Sequence, residues 1–306
     1  MTPVAWLLAV LVVAALAAVT ASGPSWRRVV ALVLVAPTAA FAYFMPAGAL
    51  FERALAALYS ILMFMRVLDL ATERGPMPWW QRALHCFSLA DTRRFERGPR
   101  QLHVSALGWL AFYAALGTGA VALLHLVDGN AAPWAWGLRW LAGCALIYAV
   151  MDATAAAARL IHHALGLRTR LHLQNAPILS RSLGEFWGRR WNGPVSRWLS
   201  AHCFWPLARR GHARWGLLAA FAWSALVHFL PVLASLGWRP AFGMAGFFLL
   251  QAVLVAAERP LRLVRWPRWA QHIWTIAGVL GPCPLFLEPV LTAIGLPAPG
   301  PLLWMG

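Results

Sequence analysis

The sequence has no lysine, and only 10 of its 306 residues are acidic. Charged residues make up 12% of the chain, against roughly a quarter in soluble domains. That leaves too little polar surface to cover a water-soluble globule, which excludes a cytosolic enzyme and a disordered tail. Cysteine is sparse as well. Cys86, Cys144, Cys203 and Cys283 lie far apart with no paired spacing, so neither a bound metal nor a disulfide framework is expected. No internal repeat is visible, which weighs against a transporter built from duplicated halves.

What fills the chain instead is apolar sequence. Hydrophobic residues account for 61%, and they recur in runs of about 20, the length a helix needs to cross a bilayer. The expected fold class is all-α: a polytopic integral membrane protein of about eight transmembrane helices, with interfacial helices in its cytoplasmic segments. The spans fall near 3–21, 29–50, 54–70, 104–127, 134–158, 215–236, 240–257 and 270–291. The third is the weakest, because Glu52 and Arg53 crowd its start and Arg66 and Asp69 its end. The stretch from Pro3 to Ala21 has no basic n-region and is too long for a signal-peptide core, so it reads as a retained first span. Residues 1–306 form a single membrane domain in this reading. It has N-terminal helices to residue 70 and two long polar segments, 71–103 and 159–214.

All 26 basic residues are arginine, for a net charge of +16. They sit in loops between apolar runs, where they set topology beside anionic lipid; a nucleic-acid partner is not expected. The loops after the first, third, fifth and seventh spans hold 22 of the 26. The positive-inside rule makes that side cytoplasmic and leaves both termini outside. Trp26, Trp79, Trp80, Trp134, Trp136, Trp215, Trp238, Trp266 and Trp269 fall at span ends, where indoles favour the headgroup region. The expected location is the cytoplasmic membrane of a bacterium.

Two places carry chemistry. The run Arg181 to Pro194 opens with Ser182 and Glu185 at capping-box spacing, so a helix begins there. Leu183, Phe186, Trp187 and Trp191 supply apolar bulk, and Arg181, Arg189 and Arg190 supply charge. A basic amphipathic helix in the headgroup layer is one reading of this pattern. Asn192, just before the Gly193-Pro194 break, is an amide in a rigid place that either binds or caps something. The second place is the sixth span. His228 lies 13 residues beyond Trp215, roughly 20 Å into a core of about 30 Å. An imidazole at that depth needs a polar cavity or a partner. Ser224 shares its face, and Pro231 frees a backbone carbonyl nearby. Either His228 is a base working near neutral pH, or a neighbouring helix satisfies it. Asp152 in the fifth span could orient a catalytic histidine or cap a helix. His162, His163 and His172 read as interfacial, and Gly117-Thr118-Gly119 as helix packing.

The run Ser182-Leu183-Gly184-Glu185-Phe186-Trp187-Gly188-Arg189-Arg190-Trp191-Asn192 resembles the signature of the wax synthase branch of the membrane-bound O-acyltransferases. The helix with Ser224 and His228, and the segment from Phe247 to Glu258, resemble that family's following helices. The likeness covers about residues 175–290. It implies acyl transfer from acyl-CoA, as co-substrate, to the hydroxyl of a lipid-soluble alcohol in a membrane, with no resident cofactor. His228 is then the general base, and Asn192 positions the acyl group or donates to the oxyanion. Trp187, Arg189, Arg190, Trp191 and Ser224 are the expected substrate-binding residues. The family often has an acid after the histidine where this chain has Phe229, so orientation of the imidazole passes to Asp152 or Glu258. Sterol, glyceride and acetyl acceptor or donor classes remain open within the family. A transporter with Asp152 and His228 lining the route, or a non-catalytic scaffold, are the readings from other classes.

Overall fold

A computed structural model of the chain describes residues 25–298 apart from 74, 76, 89, 90 and 170, together with residues 5, 6, 9, 12, 13, 16, 300 and 302. The first expected span lies largely outside the described residues. The elements are α1 (Ser25–Val35), α2 (Leu50–Thr72), α3 (Trp79–Phe87), β1 (Glu96–Arg97), α4 (Val104–Leu126), α5 (Pro133–Ala164) and β2 (Leu167–Arg168). After them come α6 (Leu183–Glu185), α7 (Gly193–Leu199), α8 (Trp205–Ala208), α9 (Ala213–Leu236), α10 (Trp238–Ala257), α11 (Arg268–Leu280) and α12 (Pro284–Ala293).

Five of these, α2, α4, α5, α9 and α10, are long and apolar enough to cross a membrane. The broken pair α11 and α12 makes a sixth if the two form one span. Only 11% of the apolar window in α4 is buried within the protein, a distribution that water would not tolerate and lipid does. The chain is an all-α, multi-pass membrane protein.

Three expected spans differ from what forms. The second is not one helix: α1 gives way to a tighter 3-10 segment, Ala36–Phe44, with a proline in its first turn. The third, expected to be weakest, is a full 23-residue helix. Three of its four charges are accommodated locally. Glu52 sits in the first turn, where the helix dipole favours an acid, and Arg66 pairs with Asp69 at 3.3 Å. The last is interrupted, α11 and α12 meeting at 43°. Pro282 has no N–H with which to continue the ladder. The Gly278 carbonyl four residues earlier instead accepts from Gln251 Nε2 at 2.8 Å.

The chain divides into two compact units, Met1–Phe95 with Val227–Ala241, and Glu96–Leu226 with Phe242–Gly306. In the first, α2 packs on α1 and the 3-10 segment around Met63, Val67 and Leu70. Ser60 Oγ bridges to the Thr38 carbonyl at 3.1 Å. At the far end of α2 lies a polar knot that no sequence pattern marks. His85 is fully buried, between Asp69 Oδ2 at 3.3 Å and Thr92 Oγ1 at 3.1 Å. Arg93 ties Asp91 at 2.7 Å, Glu73 at 3.3 Å and Asp69 at 3.5 Å.

In the second unit α4 and α5 form a close pair, with Gly117 facing Ala149 and Leu146. The two short strands pair antiparallel, Glu96 opposite Arg168 and Arg97 opposite Leu167. Arg139, which falls within the fifth expected span, lies inside α5 and is 2% exposed. Its guanidinium holds Glu288 of α12 through Nε at 3.0 Å and Nη2 at 2.9 Å, and it donates to the Leu296 carbonyl at 2.7 Å. Trp140 Nε1 completes the Glu288 shell at 3.0 Å. A bidentate pair whose carboxylate takes a further indole N–H is how two charges survive in a low-dielectric interior.

Two outcomes follow for stability in detergent. Replacing one partner, as in Glu288→Gln, strands a buried charge and should cost about 3–5 kcal/mol. The double change Arg139→Met with Glu288→Leu should recover most of that loss in a thermal melt. Burial holds the His85 imidazole below its ordinary 6.5, against the opposing pull of Asp69 and Asp91 and with help from Arg66. The unfolded chain therefore takes up the proton first, so this stability is full above about pH 6.5 and falls as pH drops below it. Acidification from about pH 7.5 to about pH 5.5 should lower the melting temperature less in His85→Asn than in the wild type.

Candidate functional site

The signature segment is built as the capping-box spacing predicts. Ser182 is extended, and its Oγ accepts from the Glu185 N–H at 2.9 Å. Glu185 reaches back one residue further than a standard box, accepting from the Arg181 N–H at 2.9 Å. That N–H, and then the Arg190 guanidinium, hold its carboxyl below the usual carboxylate range. After α6 the chain winds wider over Phe186–Arg190 in a π-helical turn, closed by the Trp191 N–H on the Phe186 carbonyl at 2.8 Å. Such turns concentrate at functional sites.

Two side chains clasp this segment to its neighbours. Glu258, just past the end of α10, accepts from the backbone N–H groups of Leu183 and Gly184 and from Trp274 Nε1 of α11. A Cβ on Gly184 would stand 3.2 Å from the carboxylate, and one on Gly278 would press into Leu183 at 2.8 Å. Close approach thus favours glycine at both positions. Trp187 Nε1 donates to Gln251 Oε1 at 3.0 Å. Its ring lies among Phe221, Phe247 and Phe248 at 6.2, 6.1 and 6.0 Å. Trp191 stacks on Phe186 at 5.5 Å and 12°.

Asn192 follows in the left-handed conformation, φ 44 and ψ 61, a region that asparagine enters more easily than most residues. Its N–H donates to Gln174 Oε1 at 3.2 Å, and its carboxamide makes no capping bond to α7. Residues 173–175 run beside it, with Gly193 N–H on the Leu173 carbonyl and Asn175 N–H on the Arg190 carbonyl, both at 2.8 Å. Gln174 is buried and also reaches Met151 Sδ at 3.5 Å. Its backbone, with the hydroxyl of Tyr113, lies at the buried Asp152 carboxyl. The Asn192 backbone, Gln174, Asp152 and Tyr113 are thereby linked within the second unit.

The expected site residues separate by role. Arg190 is engaged with Glu185 at 2.7 Å and with the Asn175 carbonyl at 3.1 Å, while Arg189 is exposed. Trp187 and Trp191 are half-buried parts of the aromatic nest. Ser224 and His228 sit four residues apart on α9, both half-buried, so they share a helix face. Pro231 is carried inside that helix and leaves the Val227 carbonyl without its usual partner. His228 belongs to the first unit and Asn192 to the second. The hydrogen bonds of Glu258 go to the signature segment and Trp274, a capping role that its position at the end of an apolar helix does not disclose. Gln174 and Gln251 escaped sequence reasoning altogether. Gln251 left one trace, an amide in mid-run of an apolar helix. Gln174 left none.

Beside the signature, an open groove of about 400 Å³ runs between α9 and residues 202–207, lined by His202, Cys203, Pro206, Leu207, Ala219, Ala222, Trp223 and Leu226. Burial pushes the Cys203 thiol up, which keeps it protonated and a poor nucleophile. Among the described residues no group of three His, Cys, Asp or Glu side chains is arranged to hold a metal ion.

Over 126 residues the chain is 37% identical to a long-chain-alcohol O-fatty-acyltransferase of Simmondsia chinensis, an overlap of 38% of this chain and 35% of that protein. Two probable long-chain-alcohol O-fatty-acyltransferases of Arabidopsis thaliana match at 34% and 31% identity over 102 residues each. Those overlaps cover 30% and 31% of this chain and 29% and 30% of theirs. This chain is similar to long-chain-alcohol O-fatty-acyltransferases. The match spans about a third of the length of these relatives. No family model matches the chain.

The clasp is open to direct test. Glu258→Ala leaves three donors without their acceptor, which should cost about 1–3 kcal/mol. Hydrogen exchange at the Leu183 and Gly184 amides should accelerate, while exchange in the middle of α5 stays at the wild-type rate.

Proposed function

We propose that the chain transfers an acyl group from acyl-CoA to the hydroxyl of a lipid-soluble alcohol, as a wax ester synthase does. The observation that carries this reading is the repeated likeness to long-chain-alcohol O-fatty-acyltransferases, joined to a signature segment clasped at both ends. Sterols, glycerides and acetyl transfer are the alternatives within the same chemistry.

A thioester is already activated, so alcoholysis needs proton transfer and charge stabilisation and no resident cofactor. His228 takes the alcohol proton as the oxygen bonds to the thioester carbonyl carbon. The carbonyl electrons move onto oxygen, and Asn192 donates to that oxyanion or positions the acyl group. Collapse breaks the C–S bond, and the departing thiolate takes the proton back from the imidazolium. General-base catalysis of this kind contributes about 10²–10⁴-fold, and an oxyanion donor about 10²–10³-fold. Trp187, Trp191, Arg189, Arg190 and Ser224 shape the surroundings of the substrates, and Asp152 holds the Asn192 side of the site through Gln174. The apolar groove beside Trp223 offers a bed for an alkyl chain.

The same reading sets the protein in the cytoplasmic membrane of a bacterium with eight spans, both termini outside and the signature on the cytoplasmic side, where acyl-CoA is found. The arginine asymmetry, 22 of 26 on one side, supports that orientation.

The test is ester formation from labelled palmitoyl-CoA and hexadecanol by detergent-purified protein. His228→Ala should lower turnover about 10²–10⁴-fold. Asn192→Gly preserves the left-handed backbone and removes only the carboxamide, so turnover should fall about 10²–10³-fold, as it should in Asn192→Ala. Full turnover by folded Asn192→Gly would reduce Asn192 to a conformational role, and full turnover by His228→Ala would remove the base.

A further inference from the structure

The C-terminal end of α5 carries basic groups that the reaction above does not use. Arg159 and His163 are 6% and 8% exposed. Arg159 Nη1 donates to the Leu171 carbonyl at 2.7 Å and meets His172 Nδ1 at 3.0 Å, while its Nε has no partner. A guanidinium only donates. His172 Nδ1 is therefore the acceptor, and its proton sits on Nε2 of an exposed residue. His163 has no hydrogen-bond partner at either ring nitrogen, and its ring meets His103 edge-on at 4.4 Å. Buried polar atoms left unpaired in this way are rare in folded proteins and call for a ligand, ion or water.

The backbone around them is fixed. Gln101 N–H and Gly166 N–H both donate to the His163 carbonyl, at 3.2 and 3.0 Å, and Leu165 N–H bonds the Ile161 carbonyl at 3.0 Å. The final carbonyls of α5 are thus capped, which removes much of the negative end that would repel an anion. The β1–β2 pairing brings in two exposed arginines: the Arg100 side chain lies against Gly166, and that of Arg168 lies across Gly98. Glu96 faces Arg168 across the pairing, and Asp152 lies two turns back along α5. The cluster is no metal site among the described residues, and its groups are predominantly donors.

We propose that Arg159, His163 and His172, with Arg100 and Arg168 at the rim, form a binding site for a phosphate-bearing anion. Guanidinium and imidazole N–H groups match phosphate oxygens in charge and geometry. Two sources carry that chemistry: the nucleotide end of an acyl thioester, and the headgroup of an anionic phospholipid. The first rests on the acyl-transfer reading; the second does not. Arg190, whose guanidinium is already held by Glu185 and two backbone carbonyls, is the poorer anchor for such a ligand.

Calorimetric titration of the purified protein with coenzyme A in neutral detergent, and native mass spectrometry with added phosphatidylglycerol, separate the sources. His172→Ala and the pair Arg100→Ala with Arg168→Ala alter exposed side chains and leave the α5 interior intact. Each should weaken binding of the anion that occupies the site about ten-fold or more. Loss confined to coenzyme A assigns the nucleotide, and loss confined to phosphatidylglycerol assigns the lipid. Wild-type binding of both by the variants, or no saturable binding of either by the wild type, overturns the site. His228→Ala should bind coenzyme A as the wild type does while losing turnover, so failure of this site and failure of the reaction read out separately.

Discussion

Glu258 is the point on which the second unit turns. Its carboxylate stands at the end of a helix, where the dipole disfavours an acid, yet it meets the N-terminal amides of the signature segment, where the dipole favours one. One side chain thereby joins α10, the signature and, through Trp274, α11. The π-turn, the aromatic nest around Trp187 and the left-handed Asn192 all follow the segment that Glu258 anchors.

The medium explains why such clasps recur. In hydrocarbon an unpaired polar group has no water to turn to, so each one marks a join between elements. Pro282 breaks the last helix, and the freed Gly278 carbonyl is taken up by Gln251, whose oxygen also holds Trp187. Arg139 and Glu288 close α5 onto α12 in the same manner. The polar residues inside this protein act as fasteners between greasy helices, and the candidate chemistry is hung on those fasteners.

Composition and run length were enough to read the helical, membrane-embedded class, and five of the expected spans form long helices. The Ser182–Glu185 cap was legible because capping is local: four residues of sequence contain the whole interaction. The break at Pro282 was present as two prolines around Cys283, but a window of about 20 residues averages over it. Arg139 stands inside the fifth expected span, but nothing near it in sequence discloses that it is buried. A partner 149 residues away made burial tolerable, and no local pattern announces such a partner. Gln174 was hidden for the same reason, since its bonds run to Asn192 and Met151, 18 and 23 residues distant. The signature was legible as a motif, while the side chains that hold it were not.

The central proposal is that the chain moves an acyl group from the sulfur of a thioester to the oxygen of an alcohol. Purified protein in liposomes, with long-chain alcohol in the bilayer and acyl-CoA added outside, gives the direct measurement: ester and free thiol quantified in the same sample over time. Equal amounts of the two, with free fatty acid at background, is the predicted result. Thiol release matched by free fatty acid, or no release above protein-free liposomes, would contradict the account.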